Sequence, residues 1–186
     1  LLAFDTSAAH CAAALLFGDQ IITRVDEMAK GQAEHLMPML QEVLSCQNLT
    51  WADLDAIGVG VGPGNFTGIR ISVAAARGLA LAMQKPAIGA STLEAQAYGF
   101  TTPVVSCLDA RRDRLFVQCF NPETDANLCD MTKAALPQLT TATVIGDFAQ
   151  DIAPLTGWTA TKPTLPIIEA IARIAATRID TKTRPA

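Results

Sequence analysis

The stretch that decides the fold is Ala56-Ile57-Gly58-Val59-Gly60-Val61, which runs directly into Gly62-Pro63-Gly64-Asn65-Phe66-Thr67-Gly68. Its first half is a short apolar run, which is typical of a buried strand. Its second half places three glycines around a proline, and residues 69–83 after it are helical in composition. The order predicts a strand, a glycine loop and a helix, which is an arrangement of α/β proteins.

Working outward from this stretch, the N-terminal side predicts three strands and a helix. Apolar runs cover residues 1–4, 10–17 and 20–25, and Gly18-Asp19 between the last two is a hairpin signal. Residues 34–44 change to a helical period, with Pro38 tolerable near the first turn. We therefore expect a helix that crosses back over a sheet.

The C-terminal side predicts a second, smaller lobe. A short strand and helix are expected over residues 86–89 and 92–98, and a strand pair over 104–108 and 115–120 flanks a polar turn. Further on the patterns predict a strand at 144–146 and helices at 148–155 and 164–177. We divide the chain into an N-terminal lobe, residues 1–99, and a second lobe, residues 100–186, whose last helix is free to pack back on the first.

Composition and charge bound the function. The 186 residues are half apolar and 17% charged, so burial of roughly 70% of the unfolded chain's surface is expected. Residues 1–60 carry two basic and eight acidic side chains, and residues 61–120 carry six basic and three acidic ones. A pI near 5.1 disfavours direct nucleic-acid binding, because phosphate contacts need clustered Lys and Arg. Any nucleic-acid role is therefore expected to run through a partner.

From the sequence we expect no disulfide framework, no signal peptide and no membrane span. Its five cysteines are an odd number without C-x-x-C spacing, so we expect buried reduced thiols. The beginning, Leu-Leu-Ala-Phe-Asp, lacks the basic region and long apolar core of a signal peptide. The most apolar long stretch, residues 71–82, contains Arg77 and is short for a membrane span. We expect a cytoplasmic protein with no membrane partner.

The glycine loop is the strongest local signal for a binding site. Glycines at a helix N-terminus let backbone N–H groups converge on an anion, which the helix dipole also favours. A tight turn that lets strand and helix pack closely is an equally good interpretation. The loop lacks the lysine of a P-loop and does not satisfy G-x-G-x-x-G.

Polar residues at two predicted strand ends are weaker candidates. Asp5-Thr6-Ser7 offers a carboxylate and two hydroxyls that can bind a metal-bound phosphate, although a capped turn is the favoured interpretation. Asp109 and Arg111 repeat the pattern in the second lobe, where a solvated hairpin tip is the alternative. The two histidines, His10 and His35, lie in different elements and form no metal or triad spacing. We interpret His35 as a cap or interface residue.

Five segments in this order resemble the TsaB (YeaZ) family over about residues 1–120. They are Leu2-Ala3-Phe4-Asp5-Thr6-Ser7, Glu34-His35-Leu36 with Pro38, Gly62-Pro63-Gly64-Asn65-Phe66-Thr67-Gly68-Ile69-Arg70, Ile88-Gly89-Ala90-Ser91-Thr92-Leu93 and Leu108-Asp109-Ala110-Arg111. The resemblance implies an α/β actin-like ATPase (ASKHA) fold of two ribonuclease-H-like lobes. It also implies a role in making threonylcarbamoyladenosine in the tRNA anticodon loop, beside a catalytic paralogue, TsaD.

The same resemblance implies that this chain lacks the paralogue's metal site. The paralogue's metal-binding histidines lie in a segment resembling I-G-x-x-H-L-E-x-H, where this chain has Thr92 and Gln96 instead. Losing two imidazoles removes ligands that a transition metal prefers. We therefore expect no catalytic residue and no metal site, and a scaffolding subunit rather than an autonomous enzyme.

Three alternatives stay open from the sequence: a glycoprotease-like metallohydrolase, an ATP-dependent small-molecule kinase that uses Asp5 to orient a metal, and a nucleotide-binding module without chemistry. For the scaffold, the expected partners are a TsaD-like catalytic paralogue and a TsaE-like ATPase, with tRNA reached only through the complex. A homodimer is expected where the partner is absent. No cofactor is expected on this chain alone, and any ATP or ADP would lie at the interface with the catalytic partner.

The expected site residues form two groups. The nucleotide- or partner-binding candidates are Asp5, Thr6, Ser7, Gly62, Pro63, Gly64, Asn65, Phe66, Thr67, Gly68, Arg70, Asp109 and Arg111. The second group is a helical interface, because the helix after the glycine loop has more apolar perimeter than one sheet can bury. Its members are His35, Leu36, Met37, Leu40, Leu44, Ile69, Val73, Ala76 and Ala80.

Overall fold

Strands and helices fill most of the described chain, residues 1–130 and 136–179 of a computed structural model. In chain order the elements are β1 (Leu2–Asp5), β2 (His10–Phe17), β3 (Gln20–Glu27), α1 (Gln32–Ser45), β4 (Ile57–Gly60), α2 (Phe66–Met83), β5 (Ala87–Ala90), α3 (Thr92–Ala97), β6 (Val104–Asp109), β7 (Arg114–Phe120), β8 (Asn127–Asp130), β9 (Thr143–Gly146), α4 (Ala149–Thr156), β10 (Thr159–Thr161) and α5 (Ile167–Thr177). A short 3₁₀ turn at Trp51–Asp53 precedes β4.

The first sheet has the order β3-β2-β1-β4-β5. Its strands β1, β2 and β3 are antiparallel because short turns join them, whereas β1, β4 and β5 are parallel because helices cross between them. One face of the sheet packs against α1 and α2 through Leu2, Phe4 and Ile57. On the other face, Gly58 lies close to Ala175 of α5. The sheet is thus covered by helices on both sides.

The second sheet repeats this plan with the order β10-β9-β6-β7-β8. Three antiparallel strands, β6 to β8, are again followed by two that lie parallel to the first, β9 and β10. Val105, Leu115 and Val144 pack with Ile152 of α4 in its core. Two mixed sheets of the same strand order confirm the predicted α/β fold of the actin-like type, built from two ribonuclease-H-like lobes.

Chain contacts divide the molecule into two units with a boundary at Thr92. The first unit comprises residues 1–92 and the C-terminal segment from Ile168, and the second comprises Leu93–Ile167. The sequence prediction placed the boundary at residue 99 and counted the last helix with the second lobe by chain position, while leaving it free to pack back on the first lobe. The difference arises because Ile168, Ile171 and Ala175 of α5 are buried, and Ala175 lies against β4 of the first unit.

Two strands and several helix ends differ from the sequence prediction. The short strands β8 and β10 were not predicted, because they lie at the edge of their sheet and carry mostly exposed residues, which removes the apolar alternation. Helix α1 begins at Gln32, so Pro38 lies inside it rather than in its first turn. Helix α2 begins at Phe66, where Asn65 caps it with its side chain.

The earlier start of α2 corrects the estimate that its apolar stretch is short for a membrane span. At 18 residues and a mean hydropathy of 1.3, α2 has the length and composition of such a span. Core helices of soluble proteins pass the same test. Four residues of α2, namely Gly68, Ser72, Ala76 and Ala80, are buried, and Ala76 belongs to the core shared with β1 and β4.

Candidate functional site

A buried carboxylate closes the first strand. Asp5 is only 3% exposed, and its Oδ2 accepts hydrogen bonds from the backbone N–H and the hydroxyl of Ser7 at 3.2 and 2.9 Å. The same oxygen lies 3.2 Å from Nε2 of His10, which begins β2. The other oxygen, Oδ1, is buried without a hydrogen-bond partner and lies against Gly60. Asp5 is therefore built into a turn.

The Asp5 carboxylate changes the titration of His10. A hydrogen bond to Asp5 raises the pKa of the His10 imidazole above its ordinary value, while partial burial lowers that pKa and the charges of Asp5 and Glu27 add to the increase. Glu27 stands directly opposite His10 in the β2–β3 pairing. Two acidic groups thus favour the protonated imidazole at this position, because an adjacent negative charge stabilises the cation.

The turn after Asp5 packs onto the glycine loop. The Thr6 hydroxyl donates to the carbonyl of Gly68 at 2.6 Å, and the Asn65 N–H donates to the carbonyl of Ser7 at 2.6 Å. A methyl group on Gly68 would overlap the Thr6 carbonyl, and one on Gly64 would lie 2.6 Å from the Ser7 carbonyl oxygen. Both glycines therefore permit a close approach of two backbone segments, so the packing interpretation of the loop has direct structural support.

The end of the loop presents two side chains to solvent. Asn65 caps α2 by accepting the N–H of Gly68 on Oδ1 at 3.0 Å. Directly after it Phe66 is 70% exposed, and the guanidinium of Arg70 lies over its ring, 5.1 Å from the centroid. Arg70 is itself exposed, as is Thr67. A large exposed aromatic ring under a cation makes this helix start suited to contacting another molecule.

Asp109 and Arg111 belong to the second unit. The N–H of Asp109 donates to Oδ2 of Asp147 at 2.9 Å, and the N–H of Arg111 donates to Oδ1 of Asp109 at 2.6 Å. Arg111, Arg112 and Asp113 all have left-handed backbones. The Arg111 bond lies within the turn between β6 and β7, and the Asp147 bond joins the end of β6 to the residue after β9. The contacts described here join the remaining binding candidates, Asp5 to Ser7 and the glycine loop, within the first unit.

Thr92 and Gln96, which the resemblance aligns with the paralogue's two histidines, are held by hydrogen bonds within the fold. Gln96 is 6% exposed and its Oε1 accepts the Ser106 hydroxyl at 2.6 Å. The N–H of Thr92 donates to the carbonyl of Gly62 at 2.8 Å, and the Thr92 hydroxyl is buried without a partner. Within residues 1–130 and 136–179, no three His, Cys, Asp or Glu side chains cluster closely enough to hold a metal ion.

Burial corrects the predicted helical interface. Five of its members are core residues, because the apolar stripe of each helix faces the first sheet: Leu36, Leu40, Leu44, Ala76 and Ala80. Met37 remains exposed, and Ile69 and Val73 are half-buried. His35 pairs with an acid of the same chain, since its Nε2 lies 2.7 Å from Asp26 Oδ2. Asp26 in turn pairs with Arg24, which also reaches Glu42 of α1.

The thiols also differ from their expected burial. Cys11, Cys107 and Cys119 are buried, but Cys46 is exposed and Cys129 is half-buried, and all five are free. Burial raises the pKa of the Cys107 thiol to about 12. Because the thiolate is the nucleophile and the metal ligand, Cys107 is unreactive at neutral pH.

His10 is the one member of the Asp5 cluster that the sequence did not mark as a candidate. The β1–β2 turn lets a residue five positions after Asp5 reach back to its carboxylate. Its sequence signal was a histidine at the start of one predicted strand, five positions after an acid at the end of the preceding one, which spacing rules for metal or triad histidines do not capture.

Comparison with known proteins finds relatives over more than half of the chain. The TsaD family, described as tRNA N6-adenosine threonylcarbamoyltransferase, matches residues 26–141, more than half of the chain. The tRNA threonylcarbamoyladenosine biosynthesis protein TsaB of Escherichia coli K12 is 33% identical over 121 residues, which is 62% of this chain and 52% of that protein. TsaB of Haemophilus influenzae is 35% identical over 122 residues, covering 62% and 51%. The chain thus spans about half the length of the curated relatives it matches.

Solved structures match over nearly the whole chain. An uncharacterized Pseudomonas aeruginosa protein described as similar to peptidase YEAZ superposes with a TM-score of 0.76 at 24% identity, covering 100% of this chain and 97% of that one. YeaZ from Pseudomonas aeruginosa superposes with a TM-score of 0.74 at 25% identity, covering 95% and 92%. Fold and sequence similarity agree: the chain is similar to TsaB and YeaZ proteins, and it belongs to the TsaD family.

Proposed function

We propose that this chain is an accessory, scaffolding subunit of the tRNA threonylcarbamoyl transferase that makes threonylcarbamoyladenosine in the tRNA anticodon loop. The observation that carries the proposal is its 33% and 35% identity to two proteins named for threonylcarbamoyladenosine biosynthesis. Its main partner would be a TsaD-like catalytic paralogue, with a TsaE-like ATPase as a further member of the system.

The surroundings of Gln96 support a subunit without catalysis of its own. A buried carboxamide whose oxygen accepts the Ser106 hydroxyl at 2.6 Å serves packing rather than chemistry. Likewise, Oδ2 of Asp5 forms hydrogen bonds with Ser7 and His10, and Oδ1 lies against Gly60. Neither arrangement favours the metallohydrolase or the kinase. No catalytic residue is therefore proposed on this chain.

The exposed face of α2 is the proposed docking surface, and it replaces the buried interface residues. We define this α2 face as Phe66, Arg70, Ala74, Gly78 and Leu81, all of which are exposed. Phe66 and Leu81 are 70% and 72% exposed. The small residues Ala74 and Gly78 between them let a second helix approach near the short end of the roughly 8 to 10 Å range. The partner would be the catalytic paralogue or, in its absence, a second copy of this chain.

Nucleotide and tRNA would be reached through the complex. Two N–H groups of the glycine loop region already donate within the chain, Asn65 to Ser7 and Gly68 to Asn65. Thr6 and Ser7 occupy the space beside Gly68 and Gly64. A phosphate cradle needs such amides free, so ATP or ADP is proposed only at the interface with the catalytic partner. Because a chain with a pI near 5.1 has few basic side chains to spare for phosphates, we propose that the partner makes most of the contacts with tRNA.

Reconstitution tests the function. The paralogue, the TsaE-like ATPase, substrate tRNA, ATP and an activated donor of the threonylcarbamoyl group are assayed for threonylcarbamoyladenosine with and without this chain. The pure chain is assayed alone and analysed for bound metal. We expect modification only when this chain and the paralogue are both present, and no stoichiometric metal on this chain. Full activity without the chain would refute the subunit role. Turnover by the chain alone, with a tightly held metal, would refute the scaffold.

A further inference from the structure

We infer that His10 is a positioning residue, which acts through Asp5 and Ser7 to hold the glycine loop and the start of α2 in place. The inference rests on the proposed function only where it concerns docking, because Phe66 and Arg70 at that helix start belong to the α2 face. The effect on the loop itself is a property of the isolated chain.

The first step is the carboxylate. Asp5 is 3% exposed and one of its oxygens has no hydrogen-bond partner. A buried carboxylate is costly unless it is paired and hydrogen-bonded. The donors on Oδ2 are the N–H and hydroxyl of Ser7 and the imidazole of His10. His10 is the one of these that can carry a positive charge, so it does most to offset the burial of Asp5.

The second step is the turn. Both Ser7 donors point at Asp5, so the position of Ser7 depends on the place of the carboxylate oxygen that accepts them. If His10 is removed, Oδ2 of Asp5 loses one of its three donors, and the carboxylate must shift or draw in water, because a buried polar atom that loses its partner is unfavourable. Either response weakens the two Ser7 hydrogen bonds and loosens the turn.

The third step is the loop. The carbonyl of Ser7 accepts the Asn65 N–H at 2.6 Å, and Asn65 is the residue that caps α2. Gly64 approaches Ser7 so closely that a methyl group there would lie 2.6 Å from its carbonyl oxygen. A displacement of Ser7 is therefore transmitted to Gly64 and Asn65. Phe66 follows directly, which connects a histidine at the start of β2 to the exposed end of α2.

Amide hydrogen exchange on the isolated chain tests this connection. His10→Ala removes the donor, whereas His10→Gln keeps a neutral N–H donor at a similar reach. In His10→Ala we expect exchange of the Ser7 and Asn65 amides to become about tenfold faster, since loss of one charge-assisted hydrogen bond is worth about that factor. His10→Gln should restore part of the protection, because it returns the hydrogen bond without the positive charge. Amides of β6 and β7 serve as an internal reference.

His35→Ala is the matched control. It removes the chain's other histidine, which also lies on an aspartate, Asp26, at 2.7 Å. The hydrogen bonds of that pair run to Arg24 and not to the Asp5–Ser7 turn or the glycine loop among the described residues, so exchange at Ser7 and Asn65 should stay at the wild-type rate. Unchanged exchange in His10→Ala would overturn the inference, and so would a His10→Gln variant that exchanges as fast as His10→Ala.

Affinity for the TsaD-like paralogue separates this inference from the proposed function. We expect His10→Ala to weaken that binding by a few fold and His10→Gln to restore it. If Ser7 and Asn65 exchange faster while the affinity stays at the wild-type value, the role of His10 in the loop stands and the α2 face is refuted as the docking surface. If exchange is unchanged, His10 has no positioning role, whatever the affinity shows.

Discussion

Gly68 and Gly78 lie in the same helix but differ in the space available for a side chain. Gly68 is buried against the Thr6 carbonyl and has no room for a methyl group, whereas a methyl group on Gly78 would meet nothing within 4 Å. We expect Gly68→Ala to destabilise the fold by about 2 to 4 kcal/mol, because the turn or the helix must move. Gly78→Ala should instead stabilise it by about 0.5 to 1 kcal/mol, since alanine is the better helix former.

Urea unfolding of the two variants beside the wild type measures this difference. The same substitution in the same helix cancels any general effect of adding a methyl group. Equal stabilities for Gly68→Ala and the wild type would show that the Thr6 turn adjusts without cost, and the close approach would then not explain the glycine.

His10 also gives a pH dependence with a defined sign. Its pKa in the folded chain is raised above the ordinary 6.5, first by the hydrogen bond to Asp5. Folding therefore favours the protonated imidazole, and this stabilisation is complete below the unfolded pKa and is lost as the pH rises through the folded pKa. Between about pH 6 and about pH 8 the wild type should lose more unfolding free energy than His10→Gln, which cannot titrate there.

Denaturant unfolding at both pH values for both proteins supplies the comparison. The quantity of interest is the difference between the two pH-induced changes, which removes the contribution of other groups common to both chains. A wild type and a variant with parallel pH profiles would contradict the assigned coupling between His10 and Asp5.

At the scale of the element, Ala74 and Ala76 are two positions apart in sequence but lie on different faces of α2. Ala76 is 0% exposed in the core of the first unit, and Ala74 is exposed. Ala76→Glu places an unpaired carboxylate in that core, so we expect it to cost at least about 3 kcal/mol and to leave little folded protein. Ala74→Glu should change stability by less than about 0.5 kcal/mol.

Binding to the paralogue distinguishes the two faces. On the proposed function, Ala74→Glu stays folded but binds at least about tenfold more weakly, because a charge is desolvated at a helix contact. Gln150→Glu on the exposed side of α4 adds the same charge away from this surface and should bind normally. A folded Ala74→Glu with wild-type affinity would remove the α2 face from consideration.

At the scale of the molecule, the first unit is completed by the C-terminal helix. Ile171 of α5 is 0% exposed, and Ala175 one turn later lies against Gly58 of β4. Ile171→Ala should cost about 2 to 5 kcal/mol, the usual effect of a cavity in a core. The loss should appear as faster amide exchange in β1 and β4. Leu155→Ala in α4, where the side chain is 46% exposed, is the control with little expected effect.

Amide hydrogen exchange of Ile171→Ala, measured strand by strand, tests this prediction. Loss of protection in β1 and β4 identifies α5 as part of the first unit's cooperative structure. Unchanged protection in those strands, with faster exchange confined to β6 and β9, would assign the stabilising role of α5 to the second unit instead.

Local patterns carried a large part of the fold and of the site. The strand and glycine loop at residues 56–68, the hairpin of β2 and β3 and the helices α1 and α2 follow from apolar periodicity and turn residues, which act over a few positions. Asp5, Thr6, Ser7 and the loop also stood out by residue type, and the structure joins them through Ser7 and Asn65. The exposed edge strands β8 and β10 lacked such a pattern.

What the sequence determined by itself is therefore the order of elements, the glycine loop and the family. The tertiary structure alone decided which face of each helix is buried, that α5 completes the first unit, and that His10 reaches Asp5. The physical reason is range: periodicity reports that a helix has apolar residues on one side, but α2 has more apolar perimeter than one sheet can bury. Only packing against β1 and β4 selects Ala76 for the core, and leaves Ala74 exposed.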